Sequence, residues 1–195
     1  MEIEQITENL YWINNVVDNE TLKRVQTELY THEKENPERW RKENAQDHLK
    51  RKMIEDHPLC NVVEDQVREQ LPLINSTINS QWDHAEGTRF WIDEPGFTIG
   101  IHRDDNVKIA LHLYWDGENG TTFWTPKFDL KEKRMLIQKH SRVTDDYRLT
   151  YQFKFIPNSG YLMLNPNNET NMLFHSMLLP TTCQRLASYT YFRKD

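Results

Sequence analysis

Thr88–Trp124 reads TRFWIDEPGFTIGIHRDDNVKIALHLYWDGENGTTFW. Four runs in it, Thr88–Asp93, Phe97–His102, Lys108–Trp115 and Thr121–Trp124, are short, aromatic or β-branched, and separated by turn residues. Leu149–Ile156, Tyr161–Leu164, Asn171–Met177 and Arg185–Phe192 follow the same pattern. Eight such runs with turns between them predict an antiparallel double-sheet jelly roll or barrel. Strands alternating with helices, which a parallel βαβ series requires, are absent. Residues 126–148 interrupt the series with mixed charge and read as an insertion over one rim of the sheets, where function tends to sit.

Upstream of residue 85 helical spacing dominates. Tyr11–Val17 reads as a short strand, and Asp18 as the N-cap of a helix whose Leu22, Val25 and Leu29 recur three and four apart. Val63, Val67, Leu71, Ile74 and Ile78 mark a second amphipathic stretch. Pro72 interrupts it by removing a backbone N–H, which predicts a kink or two abutting helices. Residues 31–56 mix basic and acidic side chains around Trp40, the composition of a solvated surface; a lid over a substrate is the alternative. The expected organisation is one mainly β domain over 1–195 (α+β overall). Residues 1–85 form its helical support and 86–195 the β core, with the insertion at 126–148.

The 195 residues suffice to bury a core without disulfides or structural metal. Lys and Arg number 24 against 30 Asp and Glu, a net charge of −6, which argues against a nucleic-acid-coating surface. Six glycines form neither GxGxxG nor GxxxxGK, so nucleotide-binding loops lose their main warrant. Only Cys60 and Cys183 are present, with no CxxC, which excludes a disulfide framework and a Cys-rich zinc site. The acidic start MEIEQITENLYW is not a signal peptide, and no apolar run reaches the ~18 residues of a membrane span. A cytoplasmic chain with no membrane partner is expected.

The chemistry concentrates at His102-Arg103-Asp104. Side chains two apart on a strand share a face, so His102 and Asp104 can converge while Arg103 points away. One further ligand would complete a two-His-one-carboxylate triad, which leaves coordination positions open and is diagnostic of non-haem Fe(II) oxygenases. His84-Ala85-Glu86 is a similar pair in a turn-like stretch and reads as solvated. There is no GxSxG turn and no HExxH helix.

Arg89–Asp104 (RFWIDEPGFTIGIHRD), Ile109–Trp124 (IALHLYWDGENGTTFW) and Ile156–Phe192 resemble, in order, three units of the 2-oxoglutarate/Fe(II)-dependent dioxygenases. These are an aromatic-turn-Gly-strand-HxD entry, a strand followed by Gly-Thr-x-Phe, and a closing Pro-x-x-Gly strand that leads to a His and then an Arg. Within that superfamily the chain is most similar to the prolyl-hydroxylase branch. The resemblance implies a cupin-like double-stranded β-helix with His102, Asp104 and His175 as Fe(II) ligands. Arg185 would hold the distal carboxylate of 2-oxoglutarate, with Tyr114 at a position where the family often places a tyrosine on the same group. The implied reaction uses dioxygen, hydroxylates a C–H bond and releases succinate and CO2.

If Tyr114 faces inward, so do His112 and Ala110 by period-two alternation. His112 reads as a buried neutral histidine or as a donor behind the metal ligands, Trp91 as core or cosubstrate neighbour, and Thr122 as strand support. Asp105 points away from Asp104 and stays outside the metal set. Tyr191 stands where the prolyl-hydroxylase branch usually carries a Trp, so the prime substrate, a peptide or a small molecule, is not fixed as a prolyl residue. Two other functions fit the same sequence: a metal-dependent cupin-type oxygenase that does not use 2-oxoglutarate, and a non-catalytic jelly-roll binding module.

Overall fold

A computed structural model describes residues 1–42, 50–104, 109–127, 141–142, 144–164 and 173–193. The chain opens with a hairpin of β1 (Glu2–Thr7) and β2 (Leu10–Asn14), followed by helix α1 (Asn19–Glu35). A 3-10 turn (Pro37–Arg39) leads into β3 (Arg41–Lys42) and β4 (Arg51–Ile54), then helices α2 (Pro58–Glu69) and α3 (Leu71–Thr77). The strand series comprises β5 (His84–Asp93), β6 (Ile99–His102), β7 (Ile109–Asp116) and β8 (Thr122–Pro126). It continues through β9 (Tyr147–Gln152), β10 (Ser159–Leu164), β11 (Phe174–Met177) and β12 (Arg185–Arg193).

All eight expected strands are present, in two antiparallel sheets ordered β1-β2-β10-β7-β12-β5-β4-β3 and β6-β11-β8-β9. This is the jelly roll expected. The expected starts Lys108 and Asn171, most of the insertion 126–148 and Asp105 lie outside the described residues. The expected Leu149–Ile156 strand begins earlier and stops at Gln152, because Phe153 and Phe155 turn inward, Phe153 stacking on Tyr161 and Phe155 on Tyr114. Upstream of residue 85, helical spacing tells only part of the story: β1 to β4 extend both edges of the large sheet. His84-Ala85-Glu86 is no solvated turn but the start of β5, with Ala85 buried.

Alternation along β7 divides the molecule. Leu111, Leu113 and Trp115 face outward onto the helices, in one core with Val25 and Leu29 of α1 and Val63 and Val67 of α2. Each buried Val or Leu there contributes roughly 1.5–3 kcal/mol relative to exposure. Ala110, His112 and Tyr114 point the other way, between the sheets. Asp18 caps α1, its carboxylate accepting from Thr21 N at 2.7 Å. The second amphipathic stretch splits into α2 and α3 at Gln70, with Pro72 in the first turn of α3, where its missing N–H costs nothing.

Asn158 fixes the corner between β2 and α1. At φ 59 its Oδ1 accepts from Val16 N (3.1 Å) and Val17 N (3.0 Å), while its Nδ2 donates to Val17 O at 2.7 Å. Gly160, two positions on, lets β10 approach β7 closely: a Cβ there would lie 1.8 Å from His112 O.

Candidate active site

His102 ends β6 and is the register partner of His175 on β11, so the two imidazoles of the small sheet face each other with ring centroids 4.2 Å apart. Asp104 lies beyond the end of β6, yet its carboxylate reaches back between them. Oδ1 is 3.8 Å from His102 Nε2 and Oδ2 is 3.7 Å from His175 Nε2. The three residues offer one ligand atom each, all within 4.8 Å of one another. The Nδ1 of His102 donates to Gly100 O at 2.8 Å, which orients the ring and leaves Nε2 a lone pair toward Asp104. His175 is buried, and that burial moves its pKa below the ordinary histidine value despite the opposing pull of Asp104. A neutral imidazole is the form that binds a metal. Two imidazoles and one carboxylate on one side of a cavity are the donor set suited to ferrous iron, which binds weakly among divalent ions and is selected by geometry and ligand type.

These groups open on a cavity of about 200 Å³ between the sheets. Its floor is the inner face of the large sheet, and the register places the side chains in rungs. Arg51 on β4 pairs with Asp93 on β5, and Asp93 pairs with Arg185 on β12. On the next rung Trp91, Ala187 and Tyr114 align, and on the one after that Tyr189, His112 and Tyr161.

The structure alters the expectation for Arg185. The residue is buried and lines the cavity, but its fork already holds Asp93: Nε and Nη2 donate to Oδ2 at 2.8 and 2.5 Å, and Nη1 donates to Asn119 O at 3.0 Å. Arg51 grips the same carboxylate, Nε to Oδ1 at 2.6 Å and Nη2 to Oδ2 at 3.1 Å. Burial alone would raise the Asp93 pKa, but the two guanidiniums outweigh it and hold the carboxyl below its usual range. Two cations, Arg185 buried and Arg51 partly buried, against one buried anion leave an excess positive charge at the inner end of the cavity. Since a guanidinium has five N–H groups, Arg185 keeps two of them beyond its three bonds.

Tyr114 is buried beside this pair, and its Oη accepts from Thr121 N at 2.9 Å. The phenolic O–H itself remains able to donate. Thr121, rather than Thr122, is the residue of the Gly-Thr-x-Phe unit that meets the site. His112 lines the cavity too, stacked on Tyr161 at 4.6 Å and edge-on to Tyr189 at 4.2 Å. Burial, then the neighbouring His175, Arg51 and Arg185, push its pKa well below the ordinary histidine value, so it is neutral. Trp91 also lines the cavity.

Sequence reasoning did not single out Asp93, Arg51, Tyr161 or Tyr189. For Asp93 a signal existed, an acid at the end of an apolar strand. For Arg51 none did, because it is one basic residue among many in a charged stretch, and only pairing with β5 brings it inward.

No family model matches the chain, and no curated protein matches it. Solved structures share its fold. A prolyl-4-hydroxylase from Pseudomonas putida superposes with a TM-score of 0.64 at 11% identity, over 97% of this chain and 94% of that one. HygX from Streptomyces hygroscopicus, with nickel and 2-oxoglutarate bound, gives 0.60 at 10% identity, over 94% and 82% of the two chains. A prolyl hydroxylase from Trichoplax adhaerens, in complex with a peptide fragment of hypoxia inducible factor, gives 0.59 at 10% identity, over 95% and 84%. The fold that the resemblance implied is the fold found. Among the described residues, no helix is long and apolar enough to cross a membrane.

Proposed function

We propose that this chain is a 2-oxoglutarate- and Fe(II)-dependent dioxygenase that hydroxylates a C–H bond of a peptide or small molecule. The observation that carries the reading is the placement of two imidazoles and a carboxylate within 4.8 Å of one another over a cavity whose inner end has an excess of guanidinium charge. His102, Asp104 and His175 would hold the metal. When bound, iron with 2-oxoglutarate supplies the activation of dioxygen, with succinate and CO2 as coproducts.

The protein's own residues do the rest. Gly100 O orients His102 through Nδ1, so its lone pair stays on the cavity side. Arg185, steadied by Asp93, presents its remaining N–H groups to a distal carboxylate, and the Tyr114 hydroxyl donates to the same group. A carboxylate at that depth loses hydration, and charge-assisted hydrogen bonds from a guanidinium compensate for it. The aromatic walls of Trp91, Tyr161 and Tyr189 exclude water around the reacting centre.

The bonds from Arg185 to Asp93 favour one second reading, a metal-dependent oxygenase without a 2-oxo acid. Calorimetric titration of 2-oxoglutarate into the Mn(II)-loaded protein, with Arg185→Ala alongside, separates the two. Binding to wild type that is lost in the variant supports the dioxygenase. Equal binding in both, or none, supports the second reading. A turnover screen over peptides, amino acids and small metabolites, with mass spectrometry for one added oxygen, then identifies the prime substrate.

A further inference from the structure

Three buried side-chain atoms in one wall of the cavity, Trp91 Nε1, His112 Nε2 and Tyr189 Oη, have no hydrogen-bond partner among the described residues. Trp91 is 7% and Tyr189 4% exposed, and the three rings form one cluster with centroid separations of 4.2 to 5.9 Å. Folded proteins pair more than about 90% of buried polar groups, and each orphan costs about 1–3 kcal/mol. A cluster of orphans facing a cavity therefore marks the place of a ligand.

Donors predominate in this wall, although the neutral His112 ring and the Tyr189 hydroxyl can also accept. The indole N–H can only donate. The guanidinium of Arg51 lies 4.6 Å from the Trp91 ring centroid and lines the same cavity. Its bonds to Asp93 use Nε and Nη2, so both hydrogens on Nη1 lack a partner among the described residues. Arg89 stands further along this side, over the ring of Tyr191 at 4.8 Å. The acid that lines the cavity is Asp104, which belongs to the candidate metal set. Asp93 answers Arg51 through Nε and Nη2, and Glu55 lies 3.8 Å from Arg89 Nη2, so the donors left over in this wall are the Nη1 hydrogens of Arg51 and the indole N–H.

Within this wall Trp91 stands apart from the place of the cosubstrate, while Arg51 borders it through the shared Asp93. Trp91 and Tyr114 share a rung but lie on β5 and β7, with Ala187 of β12 between them. Two strand spacings put their backbones about 10 Å apart. A dicarboxylate held by Arg185 and Tyr114 leaves the β4–β5 side uncovered.

We propose, resting on the dioxygenase reading, that Arg51, Trp91 and Tyr189 form the prime-substrate subsite and that the prime substrate is a small molecule carrying a carboxylate, which these donors bind. The full chain, loaded with Zn(II) and saturated with 2-oxoglutarate, is titrated with small carboxylic acids, each paired with its primary amide. Binding is measured by calorimetry and by the indole N–H resonance of Trp91, assigned through Trp91→Phe. Acids should bind and move that resonance downfield, whereas the matched amides should do neither. Arg51→Met should weaken acid binding about tenfold or more, the effect of a lost charge-assisted hydrogen bond. Trp91→Phe keeps the ring and removes only the donor, so it serves as the second variant if Arg51→Met does not fold; it too should weaken the acids selectively.

Amides binding as well as acids, neither set binding, or acid affinity unchanged in both Arg51→Met and Trp91→Phe would each overturn the subsite. The acid and amide titrations are repeated without 2-oxoglutarate. A wild type that fails to bind the cosubstrate refutes the dioxygenase reading, while the acid–amide contrast still decides the subsite.

Discussion

Arg185 and Asp93 are register partners across β12 and β5, and the arginine donates twice to one oxygen, Oδ2, of the fully buried carboxylate. The charge that a cosubstrate would meet is therefore mounted on a fixed counter-ion rather than held free. Arg51, gripping the same carboxylate from β4, makes the unit a triad with a net positive charge around a buried anion.

Removing the anion from that triad should be costly. Asp93→Asn leaves the buried Arg185 and the partly buried Arg51 without a charge partner, and breaking a buried pair from one side costs about 3–5 kcal/mol. Urea unfolding of wild type and variant measures the difference; a change under 1 kcal/mol would contradict the burial and pairing described.

The same carboxylate sets an acid limit on stability. Its pKa is lower in the fold than in the unfolded chain, so its contribution is fully present above the ordinary carboxylate range. As pH falls below that range toward the folded value, the unfolded state takes up the proton first and the contribution is lost. Melting temperature against pH should show a steeper fall on the acid side in wild type than in Asp93→Asn. Parallel curves would count against it.

The three candidate metal ligands should act as one unit. His102→Ala, Asp104→Ala and His175→Ala should each lower Mn(II) affinity by tenfold or more, with circular dichroism close to wild type. Removing any one donor leaves an incomplete set. Electron paramagnetic resonance of bound Mn(II) gives the affinity, and undiminished binding in any of the three would remove that residue from the set.

Asn158→Ala tests the corner that ties the β10 strand to α1. The substitution deletes three buried hydrogen bonds, leaves the Val16 and Val17 amides unpaired, and places alanine at a φ of 59. A loss of about 2–4 kcal/mol is expected from two orphaned donors and a strained backbone. Chemical denaturation reports it, and a loss within experimental error would show that water replaces the side chain.

Gly160→Ala should act directly on the site. With a Cβ 1.8 Å from His112 O, β10 must move away from β7, and overpacking of this kind costs about 1–3 kcal/mol or more. His112 and Tyr161, stacked across that strand pair, should lose register, visible as a changed near-ultraviolet circular dichroism spectrum.

Much of this protein was legible in its sequence, because strand and helix periodicities are local. Alternation along Lys108–Trp115 separates Leu111, Leu113 and Trp115 from His112 and Tyr114 before any partner strand is known. Spacing alone allowed His102 and Asp104 to converge, and the ordered resemblance supplied His175 and Arg185. What the tertiary structure decided is pairing. Nothing local brings Arg51 out of a charged segment and into the cavity, or makes Asp93 the shared counter-ion of two arginines. Both follow from the register of β4, β5 and β12, which depends on which strands adjoin once the sheet closes. Alternation assigns a side chain to a face; only the neighbour on the next strand decides what it meets there.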